Sequence, residues 1–204
     1  MPTATFEDLT RRLAQPASTD RRIVAVVGAP GSGKSTLAER LAAALPGAAV
    51  LPMDGYHYDD GLLRARGMLA RKGAPDTFDV SGFGHMLQRL RRNEEDEIAV
   101  PVFDRDLEIS RAGARMIGRE VKMLIVEGNY LLLATPPWSH LHALYDVTVA
   151  LDVPEAELRR RLVARWRGYG YAEDQITAKV EGNDLPNGRF VRESSKPADF
   201  ILSD

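Results

Sequence analysis

The chain has no cysteine, which excludes disulfide scaffolds, thiolate zinc sites, iron–sulfur clusters and cysteine nucleophiles together. It also lacks a dominant charge. Its 27 Lys and Arg against 29 Asp and Glu leave a formal charge of −2 over 204 residues, so no basic field points to nucleic acid or an anionic membrane. Long hydrophobic runs are missing as well. The longest uncharged stretch, Gly128 to Tyr145, is interrupted by Asn129, Pro136, Pro137, Ser139, His140 and His142 and is no membrane span. There is no internal repeat, no low-complexity tract and no Pro/Gly/Ser-rich linker. The acidic run Glu94–Glu97 follows Arg89, Arg91 and Arg92 and reads as a solvated helix end. What remains is 44% hydrophobic and 27% charged, the composition of one soluble globular domain over residues 1–204, expected in the cytoplasm.

Short β-branched runs alternate with longer helical patterns, as in parallel βαβ units. The spacing predicts strands at Ile23–Val27, Val50–Asp54, Val121–Glu127, Val147–Asp152 and Asp199–Leu202. Helices are predicted over Ser35–Leu45, stopped by Pro46-Gly47, and over Glu155–Trp166 and Ala172–Val180. The N-terminal residues Met1 to Arg12 have helical rather than signal-peptide spacing. Near-continuous apolar strands such as Ile23-Val24-Ala25-Val26-Val27 predict a sheet covered on both faces. The expected fold is therefore α/β, a three-layer sandwich around a parallel five-stranded sheet.

The most informative segment is Gly28-Ala29-Pro30-Gly31-Ser32-Gly33-Lys34-Ser35-Thr36. It fits G-x-x-x-x-G-K-[ST], follows a strong strand and opens a strong helix, the context that gives this motif its meaning. Its glycines let backbone N–H groups turn inward around an anion, and the helix adds its positive N-terminal end. Lys34 is placed to reach the β- and γ-phosphates of ATP and the Ser35 hydroxyl to ligate Mg²⁺. A dinucleotide fold is excluded, because Lys34-Ser35 stands where its third glycine would pack. The loop belongs to a P-loop nucleotide-binding protein.

Three classes share such a loop. A GTPase would carry N-K-x-D, which is absent; a transporter ATPase would carry an L-S-G-G-Q-like segment, which Val80-Ser81-Gly82-Phe83-Gly84 imitates poorly. A motor would end its second acidic strand in Asp-Glu, whereas Met123-Leu124-Ile125-Val126 ends in Glu127-Gly128. A small-molecule kinase accounts for more. Asp54-Gly55 follows a second strand, so Asp54 and Glu127 would flank Mg·ATP, one accepting a hydroxyl proton while the other helps hold the metal.

The motifs Gly28–Thr36, Asp54-Gly55-Tyr56, Arg71–Asp79, Pro101-Val102-Phe103-Asp104 and Ile125–Gly128 occur in the order seen in the uridine kinase, phosphoribulokinase and type I pantothenate kinase group. The chain resembles that group from about Ile23 to Leu202. With Asn183-Asp184-Leu185-Pro186-Asn187 included, it resembles bacterial fructose transport system kinases most. The resemblance implies that Asp54 is the catalytic base and Glu127 an acidic residue of the Mg²⁺ site. It also implies that Phe78, Asp79 and Phe103 line the acceptor pocket. His57, three residues beyond Asp54, and Asp104 are further candidate substrate contacts. Uridine kinases follow this segment with a histidine that reads the pyrimidine. Asp104–Glu108 has none, which favours a sugar, polyol or pantetheine-like acceptor.

Arg159, Arg160, Arg161, Arg165 and Arg167 crowd one helix. Leu158, Leu162, Val163 and Trp166 form its buried arc, and Arg161 and Arg165 share a flank one turn apart. Five cations on one helix repel unless an anion is near. The sequence thus predicts a lid over about 155–171 whose Arg161 and Arg165 meet triphosphate, with Gly168 and Gly170 as its joint. Paired carboxylates at Glu155 and Glu157 are the competing explanation. His140 and His142 read as packing or surface residues, and Asn183 as a weak candidate for a ligand contact. The expected partner is a small-molecule hydroxyl substrate, with ATP and Mg²⁺, without nucleic acid or membrane; a homodimer is left open. A nucleoside kinase and an ATP-binding regulator without phosphoryl transfer are the alternatives.

Overall fold

The computed structural model of the protein describes residues 2–15 and 21–203. Among the described residues, seven strands occur in chain order: β1 Arg22–Gly28, β2 Ala48–Pro52, β3 Glu97–Asp104, β4 Ile109–Gly118, β5 Met123–Gly128, β6 Val147–Asp152 and β7 Phe200–Ser203. The α-helices are α1 Phe6–Leu13, α2 Lys34–Ala44, α3 Asp60–Ala65, α4 Val80–Arg92, α5 Glu155–Gly168, α6 Glu173–Lys179 and α7 Leu185–Ser194. Five strands form one parallel sheet in the order β2-β5-β1-β6-β7. The expected five-stranded sheet with flanking helices is present.

Because successive side chains in a strand point to opposite faces, β1 serves two cores at once. Ile23, Ala25 and Val27 pack with Phe83, Leu87 and Leu90 of α4 and Val191 of α7. Val24 and Val26 pack with Leu9 and Leu13 of α1 and Leu37 and Leu41 of α2. A third, smaller core joins Leu158 and Leu162 of α5 to Ile176, Val180 and Leu185, so the arginine-rich helix is held by its own cluster beside the sheet. The buried Arg21 ties the start of β1 to its surroundings. It donates to the carbonyls of Val121 (2.9 Å), Leu90 (3.0 Å) and Gly118 (2.7 Å) and to Asn93 Oδ1 (2.6 Å). Four acceptors offset the cost of burying that guanidinium.

The structure departs from the sequence reading at several elements. The second strand ends at Pro52, and Asp54 lies in a 3₁₀ turn, Met53–Tyr56, rather than on the strand. Strands β3 and β4 form an antiparallel hairpin apart from the main sheet. Its second strand, ISRAGARMIG, is exposed along most of its length, so it offers no alternating apolar face to read. Helix α4 begins with the very Val80–Gly84 segment considered as a transporter signature; Asp79 caps it, accepting from the Gly82 N–H at 2.9 Å. After α6 the helix continues as a π turn over Val180–Asp184.

Candidate active site

β1 lies between β5 and β6; the chain passes from it by α2 to β2 on one side of the sheet and later crosses to β6 on the other. Open α/β sheets bind ligands at the carboxyl ends of strands around such a point, and the Gly28–Thr36 loop sits there. Gly31 and Gly33 have φ of +81° and +91°, a left-handed backbone that side chains disfavour. A Cβ at Gly28 would stand 2.5 Å from Ser32 Oγ, and one at Gly31 would stand 3.0 Å from Leu162 Cγ of α5. The loop is therefore closed from within by Ser32 and roofed by the arginine helix. Gly33 caps α2 with no side chain in the way, leaving the first N–H groups of the helix, at Lys34, Ser35 and Thr36, without a side-chain cap. That combination fits an anion cradle.

A cleft of about 790 Å³ opens from this loop. Lys34, Ser35, Asp54 and Glu127 line its inner end. Glu127 is buried, with the Ser35 side chain beside it. Burial raises its carboxyl above the ordinary glutamate range, against the opposing pull of Lys34. Burial likewise lowers the Lys34 ammonium, while Glu127 and Asp54 work to restore it. At Asp54, burial alone would raise the carboxyl, but Arg105, His57 and Lys34 more than offset it and hold it below the usual range. A base at Asp54 is thus kept ionised. Among the described residues, no group of three or more His, Asp or Glu side chains could hold a metal unaided. The donor set of one hydroxyl and one or two carboxylates suits Mg²⁺, which keeps waters and takes the rest of its ligands from phosphates.

Past Asp54 the cleft runs over an aromatic floor. The His57 ring lies 4.0 Å from that of Phe78 and 4.7 Å from that of Phe103, and its Nδ1 donates to the Asp54 carbonyl at 2.8 Å. Burial lowers the His57 pKa, against the opposing pull of the Asp54 carboxylate. Phe78 is buried and also meets Tyr130 and Trp138 edge-on, so only part of it faces the cleft.

Two expected substrate contacts are not brought here. Asp79 is occupied as the cap of α4, and Asp104 accepts from the Asp106 and Leu107 N–H groups and from Arg111. Neither lines the cleft. Each carboxylate instead satisfies backbone donors that its own element leaves open.

The arginines of α5 divide. Arg160 pairs with Glu157, Arg159 with Glu155 and Glu181, and Arg167 with Glu173, so carboxylates rather than phosphate account for these three. Arg161 binds Glu157 at 2.7 Å and reaches the Ser32 carbonyl at 3.3 Å; it stands beside the loop. Arg165 lines the cleft with Lys34. Gly170, at φ +79°, follows the helix end at Gly168. His140 and His142 lie in a 3₁₀ segment, Trp138–Leu144, away from the cleft.

Several lining residues went unread in the sequence. Arg105 forms an ion pair with Asp54. Asp184 is buried and accepts from Trp166 Nε1 at 2.7 Å; burial raises its carboxyl. Asn129 follows Glu127-Gly128 directly and lines the cleft, so proximity to the acidic strand end was the available signal. A second cavity of about 350 Å³ lies beside the start of the loop, between Gly28-Ala29, Asp152-Val153 and Lys196-Pro197-Ala198; no motif marks it.

No family model matches the chain. A Schizosaccharomyces pombe protein provisionally named a uridine kinase is 30% identical over 215 residues, covering 98% of this chain and 90% of its own. A pantothenate kinase of Myxococcus xanthus is 28% identical, covering 71% of this chain and 49% of its own. In the crystal structure of a protein provisionally named a fructose transport system kinase, from Silicibacter sp. TM1040, the fold matches with a TM-score of 0.91. That protein is 44% identical, over 97% of this chain and 98% of its own. Together with the loop and the carboxylates at its mouth, these likenesses show that the chain belongs to the uridine kinase, phosphoribulokinase and pantothenate kinase group of P-loop kinases.

Proposed function

We propose that the protein is an ATP- and Mg²⁺-dependent kinase that phosphorylates a hydroxyl of a small metabolite, a sugar such as fructose or a pantothenate-like alcohol. The observation that carries this reading is one cleft in which Lys34, Ser35, Asp54 and Glu127 meet at the phosphate loop and from which a polar and aromatic chamber continues past Asp54. In such a chamber the acceptor oxygen would approach the γ-phosphorus as the bond to the β–γ bridging oxygen breaks. Asp54 would take the acceptor proton and ADP would leave. Lys34 and Arg165 would neutralise charge on the transferring group, with Arg161 holding the loop beside them. Ser35 and Glu127, with Asp54 adjacent, would hold Mg²⁺, which would supply charge neutralisation at the phosphates. The smaller cavity, with Val27, Leu132 and Ala150 in its walls, suits the nucleotide base. The same reading places the enzyme in the cytoplasm, where ATP and Mg²⁺ are abundant.

A nucleoside kinase is the second reading, favoured by the name of the yeast relative; the absence of histidine in Asp104–Glu108 weighs against it. A regulator without phosphoryl transfer would have no use for the Asp54 carboxylate at the loop. A coupled ADP-release screen over sugars, nucleosides, pantothenate and vitamin-like alcohols tests all three. A sugar or polyol that raises ADP release well above the water background supports the proposal, and a nucleoside that does so alone supports the second reading. No response to any acceptor supports the regulator.

A further inference from the structure

The acceptor end of the cleft holds two cations that phosphate binding does not require. Lys72 and Arg105 both lie against the Phe103 ring, Nζ at 5.4 Å and Cζ at 4.9 Å from its centroid. Lys72 is 16% exposed and donates to Asp60 Oδ1 at 2.6 Å and to the Glu108 carbonyl. An ammonium has three donors, so one is left for a ligand. Arg105 sits in the turn between β3 and β4, where its side chain is 52% exposed, and places Nη2 on Asp54 Oδ2. The other guanidinium donors are largely unclaimed.

The pair formed by Arg105 and Asp54 conflicts with catalysis. A carboxylate already held by a guanidinium is a weaker and less accessible proton acceptor, so Asp54 serves a hydroxyl best once Arg105 has left its Oδ2. A neutral acceptor would offer Arg105 no new partner, and separating an ion pair in a partly buried site without replacement is unfavourable. An acceptor bearing its own anion makes the separation an exchange of partners.

We propose that Arg105, with Lys72, selects acceptors that carry a carboxylate or phosphate group, and that Arg105 rests on Asp54 until that group arrives. The inference builds on the kinase reading above. It predicts that the hydroxyl to be phosphorylated and the anionic group lie on the same small molecule, the first at Asp54 and the second over Phe103.

The test is calorimetry on the full chain with Mg²⁺ and a non-hydrolysable ATP analogue, followed by matched pairs: glycerate and glycerol, gluconate and sorbitol, pantothenate and pantothenol, fructose 6-phosphate and fructose. The carboxylate and phosphate pairs tell the two anions apart. In at least one pair the anionic member should bind about tenfold tighter or more, the scale of one charge-assisted contact. Arg105→Gln and Lys72→Gln should erase most of that preference, while Arg105→Lys keeps part of it and analogue binding is unchanged. Arg105→Gln should also raise ATP hydrolysis measured without acceptor, since Asp54 is released to water. The proposal is overturned if neutral members bind as tightly as anionic ones or if no anionic member binds beside a bound analogue. It is equally overturned if Arg105→Gln leaves the preference intact, or weakens the analogue instead. Failure of the wild-type chain to bind the analogue, seen before any acceptor is added, counts against the kinase reading itself.

Discussion

The phosphate wall of the cleft comes from one unbroken segment, Gly28–Thr36, whereas the acceptor wall is gathered from Asp54–Asp60, Leu69–Phe78, Phe103–Glu108 and Gly182–Asn187. The first wall is made of backbone: N–H groups, left-handed glycines and a helix end. The second is made of side chains that meet across long stretches of sequence, such as Arg105 on Asp54 and Lys72 against Phe103. A backbone cradle recognises any polyphosphate and leaves little room for variation. A side-chain wall can be changed one residue at a time without disturbing the sheet. The difference explains how one scaffold can keep its phosphate chemistry while its acceptor varies.

The sharpest way to break the first wall is Lys34→Ala. Removing a cation from a transferring phosphoryl group costs on the order of 10³–10⁵-fold in rate, so turnover should collapse while circular dichroism stays native. Turnover near that of wild type would remove the loop from the reaction.

Next in size is the border between the walls. Asp54→Asn should lower turnover by about 10²–10⁴-fold, the range for a general base, and leave Mg·ATP affinity intact. Glu127→Gln should instead raise the Mg²⁺ concentration needed for half-maximal rate. A Mg²⁺ titration of both variants separates the roles, because added metal should rescue Glu127→Gln in part and Asp54→Asn not at all. The opposite pattern would exchange the two assignments.

The third prediction concerns pH. Burial raises the Asp54 carboxyl, and Arg105, with His57 and Lys34, brings it below the ordinary range. Activity in wild type should therefore persist to a pH below that range before Asp54 protonates. In Arg105→Gln the largest lowering influence is gone, so the acid limb of kcat/KM should move to higher pH. An unmoved limb would mean that Arg105 does not act on the base.

Within α5 the comparison can be made on one helix. Arg165→Gln should reduce turnover by about tenfold or more, as expected for loss of a charge-assisted contact to phosphate. Arg160→Gln should leave turnover unchanged, because among the described residues Arg160 pairs with Glu157 at the surface. Equal losses would mean that the helix acts as a whole rather than through the residue lining the cleft. Hydrogen exchange over residues 155–171, with and without an ATP analogue, should show protection gained on binding if the helix closes as a lid.

The smallest effect is at Glu157. Hydrogen bonds from Arg160 and then Arg161 lower its carboxyl to about 2, against 4.5 in an unperturbed glutamate. Its contribution to stability is therefore present above pH 4.5 and lost as pH falls toward 2. Thermal unfolding of wild type and Glu157→Gln should differ slightly at pH 6 and converge only as pH falls to about 2. A difference that persists in acid would place the effect in helix propensity instead of the ion pairs.

Asp54 and Glu127 were readable because each closes or closely follows an apolar strand, and such positions face the ligand edge of a parallel sheet. Arg159, Arg160 and Arg167 were visible as charge but not as chemistry. Helical spacing offered Glu155 to Arg159 and Glu157 to Arg160, whereas Glu181, the second partner of Arg159, and Glu173, the partner of Arg167, are too far along the chain for that spacing to pair them. Asp79 and Asp104 sit in motifs that suggested substrate contact, yet local backbone donors claim both.

The sequence by itself determined the sheet, the phosphate loop and the helix that follows it, because hydrophobic period, glycine and Lys-Ser spacing are local properties of consecutive residues. Only the tertiary structure decided which cations remain for a ligand. The Asp54–Arg105 pair spans 51 residues and the Lys72 contact with Glu108 spans 36. A charge is spent or kept according to the carboxylate that folding brings beside it, and no period in the chain records that distance.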